Sequence, residues 1–202
     1  LDPAGSTYQG HKEDGRRETH FLMSTDYWFR PIHSRVGPDG AMYVVDFYNQ
    51  IAVHNDTRGP RVGHGAHNAA VRPDRDHHFT RIYRVQHKEA AKLPAFKLDP
   101  ADPAGLVAML EHPNGWVRTT ANRLLTESQQ PSVAPALATM LKTGVNRFGR
   151  IEALYALNNL DRLDDSLLLA AFQDQDSAVR KNAARIAAER DNAPADVQKA
   201  IR

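Results

Sequence analysis

The sequence has no cysteine. That excludes disulfides, thiolate catalysis, cysteine-ligated zinc and covalently attached c-type haem within these 202 residues. No apolar run approaches the roughly 18 residues needed to cross a bilayer, so no membrane span is expected. Charge of one sign is missing too: 26 basic side chains face 24 acidic ones, for a net charge of +2. With no basic stripe interleaved with aromatics, neither nucleic acid nor a charged lipid surface is an expected partner. No GxSxG, GxGxxG, phosphate loop or HExxH is present, and no nucleophile, base and orienter can be assembled. The chain opens at Leu1 without an initiator methionine or a signal-peptide pattern, and we expect an excerpt of a longer protein. What is present is an ordinary balance, 41% hydrophobic and 25% charged, enough for one or two domains.

The stretch from Trp28 to Asn49 joins turn chemistry to chain direction. Pro38-Asp39-Gly40 is a tight-turn signal, because proline presets φ and glycine accepts positive φ without a Cβ clash. Ile32–Val36 alternates apolar and polar before it, and Ala41–Phe47 is rich in β-branched and aromatic residues after it. The spacing predicts a β-hairpin, with a third strand at Thr80–Val85. Residues 1–20 are polar and glycine-punctuated and read as loop, with Phe21-Leu22-Met23 as a short strand after them.

FRPIHSRVGPDGAMYVVDFYNQIAVH, followed after a loop by DRDHHFTRIYRV, resembles the end of the propeller in the bacterial membrane-bound dehydrogenase or PVC-type haem-binding family. The resemblance covers about Thr19 to Val85. Long members are similar to glucose/sorbosone dehydrogenases in a six-bladed propeller, continue into HEAT-like repeats and often end in a c-type cytochrome domain. The resemblance therefore implies an α+β multidomain chain, a partial β-propeller followed by an α-solenoid of HEAT-like repeats. It implies an exported, periplasmic oxidoreductase, with pyrroloquinoline quinone and c-type haem belonging to the full-length parent and no cofactor in this chain. The remaining propeller blades would be its first partner, with Val44, Phe47, Ile82 and Tyr83 at the interface.

Between Asn49 and Phe79 lies a long loop with five histidines, three glycines and two prolines, and loops of that length tend to be functional or disordered. His64 and His67 are three apart and could converge on a metal only with a third ligand that no nearby carboxylate is spaced to supply, so no metal site is expected. His54 matches a histidine that follows DFYN in the family pattern. The resemblance makes it the candidate general base, against a hydrogen-bonded structural histidine. Arg30 could hold an anionic cofactor group or tie backbone carbonyls; Asp46 and Asn49 could contact a cofactor or cap the turn backbone.

Residues 88–102 form a proline-punctuated linker between the part at 1–87 and a helical part at 103–202. Leu110, Leu141 and Phe172 close apolar helix patterns at a spacing of 31 residues. Asn114, Asn146 and Asp176 then stand at N-cap positions, followed by Arg118, Arg150 and Arg180 and by Ala121, Ala153 and Ala183. This reads as three helix pairs resembling short HEAT repeats, with residues 195–201 opening a fourth and the arginines forming a ladder to neighbouring caps. Two functions fit. One is a piece of an exported redox protein whose repeats dock an electron-transfer or other protein partner, this excerpt being inactive alone. The other is a non-catalytic scaffold that binds carbohydrate or a protein partner.

Overall fold

The computed structural model describes residues 2–5, 7–12, 14–16, 18–49, 79–190, 196, 197 and 199. By its internal contacts the chain divides into a sheet unit, Glu13–Lys92, and a helical unit, Leu1–Lys12 with Leu93–Arg202. Among the described residues the architecture is α+β: two short strands, a three-stranded antiparallel sheet, then six α-helices.

Strands β1 (Asp2–Ala4) and β2 (Thr7–Gln9) pair antiparallel where the polar composition predicts loop. A backbone ladder needs no apolar side chains, and Gly5 at φ +61° lets the chain reverse between them.

In the sheet unit, β3 (Pro31–Val36), β4 (Met42–Asp46) and β5 (Arg81–Val85) lie in that spatial order, all antiparallel. The predicted hairpin turn is a three-residue loop. Gly40 N–H donates to Gly37 O at 3.0 Å, Gly37 N–H donates to Ala41 O at 2.9 Å, and Gly40 sits at φ +77°. This is the type I turn closed by a left-handed residue that fits three-residue hairpins. Asp39 secures it by accepting from Ala41 N–H at 3.1 Å. Ala41, with Val44 and Asp46 of central β4, forms the small core, while β3 is exposed along its whole length.

The propeller expectation is overturned here. Phe21–Met23 forms no strand, and among the described residues three strands with two open edges stand where a four-stranded blade with neighbouring sheets is required. The strand pattern was a local property; closure into a blade needs pairing partners that the described residues do not supply.

The helical unit runs α1 (Pro103–Met109), α2 (Gly115–Ser128), α3 (Ala134–Thr143), α4 (Arg147–Asn159), α5 (Asp165–Phe172) and α6 (Ser177–Ala188). Five of them start at a side-chain cap: Asp102, Asn114, Asn146, Asp164 and Asp176 each accept from a backbone N–H two or three residues on. Helix α3 instead follows a 3₁₀ turn, Pro131–Val133. α1 packs on α2, α3 on α4 and α5 on α6, and α4 also packs on α2 and α6. Ala121, Ala153 and Ala183 are fully buried, small enough to let the second helices approach closely.

All six helices close on one continuous apolar cluster from Leu106 to Val197 that includes Leu125, Leu137, Leu154, Leu157 and Leu168. Each fully buried leucine contributes roughly 1.5–3 kcal/mol. Among the described residues no solenoid of HEAT-like repeats is evident; the six helices share one core in an α+β chain. The 31-residue spacing reports recurring caps and buried alanines, which any series of capped helices can carry. The expected fourth unit at 195–201 falls largely outside the described residues.

The arginine ladder is also more local than its spacing implies. Arg118 Nη1 donates to His112 O and Pro113 O, and Arg180 Nη1 to Asp174 O and Gln175 O, so each staples the loop before its own helix. Arg150 does the same to Gly144 O and additionally crosses to the Asp174 carboxylate before α6.

Candidate functional site

Asp46 ends β4 and is completely buried. Its Oδ1 accepts from Arg30 N–H at 2.7 Å and from Tyr48 N–H at 2.9 Å, fastening the chain before β3 to the chain after β4. Its Oδ2 is buried and finds no hydrogen-bond donor among the described residues. The Arg30 side chain turns back on its own segment, with Nη1 donating to Tyr27 O at 2.7 Å and Phe29 O at 2.8 Å. Asn49 is 4% exposed, and its N–H donates to Trp28 O at 3.0 Å. The structure thus brings Arg30, Asp46 and Asn49 together at one end of the sheet. A quinone cofactor would need a cation turned toward its carboxylates, whereas Arg30 Nη1 is engaged by two carbonyls. His54, with His64, His67, His77 and His78, lies outside the described residues.

A second set of side chains at this end was not singled out from the sequence. Arg81 opens β5 opposite Asp46 and forms an ion pair with Asp26 at 3.0 Å. Its guanidinium lies 3.4 Å from the centre of the Tyr48 ring, and Tyr48 in turn packs on Trp28 at 5.3 Å. A backbone hydrogen bond from Trp28, with help from Arg81, holds the Asp26 carboxyl below the usual aspartate range. Tyr48 takes φ +45°, a left-handed conformation a bulky residue adopts only when its surroundings hold it there. Here Asp46 and Arg81 do so. The Asp26–Arg81 pairing joins residues 55 apart, so no local pattern signals it.

Along β3 the sheet unit carries a groove of about 530 Å³, walled by His20–Leu22, by Pro31–Ser34 and by Met42 and Val44 of β4. Phe21 and Ile32 beside it are 83% and 64% exposed, which is unusual for apolar side chains this large. Exposed Ile32 and Val36 on an edge strand form a surface that water solvates poorly, next to backbone groups with no neighbouring strand among the described residues.

In the helical unit the notable polar group is Glu152 on α4. Burial raises its carboxyl above the usual glutamate range, opposed by hydrogen bonding from Asn122 and by the charge of Arg118. Asn122 Nδ2 donates to Glu152 Oε2 at 2.8 Å and to Glu152 O at 2.9 Å, linking α2 to α4. Arg118 stacks on Phe148 at 4.5 Å, and burial lowers its guanidinium below the ordinary arginine value. These contacts hold helices together. Among the described residues no helix is long and apolar enough to cross a membrane.

No curated protein and no solved structure matches the chain. Residues 1–89 are similar to a family described as a Domain of unknown function (DUF7133), a match that spans the whole described sheet and the groove beside it.

Proposed function

We propose that this chain is a non-catalytic scaffold whose sheet unit binds a protein partner. The observation that supports the reading is β3, an edge strand exposed from Pro31 to Val36 beside an apolar groove. An extended segment can add to such an edge, taking affinity from main-chain hydrogen bonds and selectivity from alternate side chains. Where β3 begins, Arg30 and Asp46 hold backbone, as a rigid docking platform requires.

The test pairs activity with binding. Purified chain supplied with pyrroloquinoline quinone, an artificial electron acceptor and a panel of sugars and alcohols is expected to give no turnover above the blank. Display selection on the same chain is expected to recover extended peptides that lose binding on Ile32→Asp, which places a charge on the groove wall. Turnover, or selected peptides indifferent to Ile32→Asp, would overturn the reading.

A further inference from the structure

The groove beside β3 has a charge pattern that names its occupant. Three arginines of the sheet can be compared. Arg81 is paired with Asp26 at 3.0 Å and Arg84 with Asp39 at 2.6 Å. Arg35, on the open edge, instead donates from Nε to His33 Nε2 at 2.9 Å, and among the described residues no carboxylate faces it. His20 and His33 line the groove, and among the described residues no acidic side chain does. Of the acids in the sheet and its turn, Asp39 is engaged by Arg84 and Tyr43, and Asp46 Oδ1 by backbone N–H groups.

Strand geometry gives the spacing. Gly37 bonds inward to Ala41, so antiparallel alternation turns the main-chain groups of Ser34 and Val36 toward the open edge. The side chains of Ser34 and Val36 share a face with their partners Val44 and Met42. Arg35 lies on the other face with Tyr43. A strand added at this edge places alternate side chains on the two faces. One set meets Val36 and the groove lined by Phe21 and Val44; the other meets Arg35.

We propose that the β3 edge binds an extended acidic segment of a partner protein in which apolar residues alternate with aspartate or glutamate. This rests on the docking reading above and adds the partner's chemistry. Arg35 takes a carboxylate, as the planar guanidinium does best, and the groove face takes the apolar residues. The length of β3, six residues, sets the length of the segment.

The test uses the full 202-residue chain and three fluorescein-labelled peptides: one alternating valine and aspartate, one alternating valine and lysine, and the aspartate peptide with alternate amides N-methylated. Fluorescence anisotropy is expected to show the aspartate peptide binding at least tenfold tighter than either control. Ser34→Pro, which removes an outward N–H without touching the β3–β4 ladder, is expected to weaken it about tenfold. Arg35→Glu is expected to reverse the aspartate–lysine preference, with an unchanged circular dichroism spectrum showing that the sheet persists. Equal binding of both charged peptides would overturn the acidic inference while leaving edge docking standing. Binding indifferent to N-methylation and to Ser34→Pro would overturn strand addition. Self-association abolished by Ser34→Pro, with no peptide competing, would assign the edge to a second copy of the chain and overturn the proposal. No binding of any peptide, with no self-association, would overturn both.

Discussion

Removing the Arg150 side chain is expected to be among the most damaging single polar substitutions in the helical unit. Arg150 is 6% exposed; Nε meets Asp174 Oδ2 at 2.8 Å, Nη2 meets Asp174 Oδ1 at 3.1 Å and Nη1 meets Gly144 O at 2.9 Å. Arg150→Ala strands a largely buried carboxylate whose remaining donor is Asp176 N–H at 2.7 Å. Breaking a buried ion pair on one side costs roughly 3–5 kcal/mol. The surviving backbone donor places this case near the lower end, at about 3 kcal/mol. In a unit of this size that lowers Tm by roughly 12–24 °C. The pair need not favour the fold relative to an apolar one: Arg150→Met with Asp174→Leu is expected to fall within about 1 kcal/mol of the parent, because neither charge then remains to be desolvated. Urea unfolding followed by far-UV circular dichroism measures both, and the double-mutant cycle isolates the coupling. A loss below about 1 kcal/mol for Arg150→Ala, as a solvated surface pair gives, would refute the reasoning, as would a double variant no more stable than the single one.

Two further outcomes concern pH and capping. Because burial raises the Glu152 carboxyl in the folded chain, its stabilising contribution is full below the ordinary value of 4.5 and is lost as pH rises from there through the raised value. Glu152→Gln keeps an acceptor for Asn122, so it should melt above the parent at neutral pH and converge with it at acid pH; a lower melting temperature at neutral pH would contradict the cause assigned. Asp164→Ala removes the cap of α5 and should destabilise the helical unit by about 1 kcal/mol at neutral pH. Since the backbone N–H of Leu167 lowers the Asp164 carboxyl, that difference is present above the ordinary value of 3.8 and closes as pH falls through the lowered one, and a gap independent of pH would argue against a charged cap.

The sequence by itself determined the elements whose causes are local. Pro38-Asp39-Gly40 specifies its turn through one fixed φ and one positive φ, and the three main strands follow from runs of β-branched and aromatic residues on either side. Asn114, Asn146 and Asp176 mark helix starts because a short polar side chain reaches its own backbone there. Even the fastening role of Arg30 and Asp46 was legible as one of two alternatives, since both bond to main chain nearby or across one hairpin. Only the tertiary structure decided whether strands closed into a blade and how evenly spaced helices assembled. A period records what each segment buries, not which segment it is buried against. That is why a propeller and a solenoid were expected where a three-stranded sheet and a six-helix core are found. The same holds for the polar partnerships that shape the surface. Asp26 meets Arg81 and Asn122 meets Glu152 from distant points in the chain, because desolvated charges and amides need partners wherever packing delivers them. Among the described residues Arg35 stands without a carboxylate, because packing gave the other two sheet arginines theirs and set none beside the β3 edge.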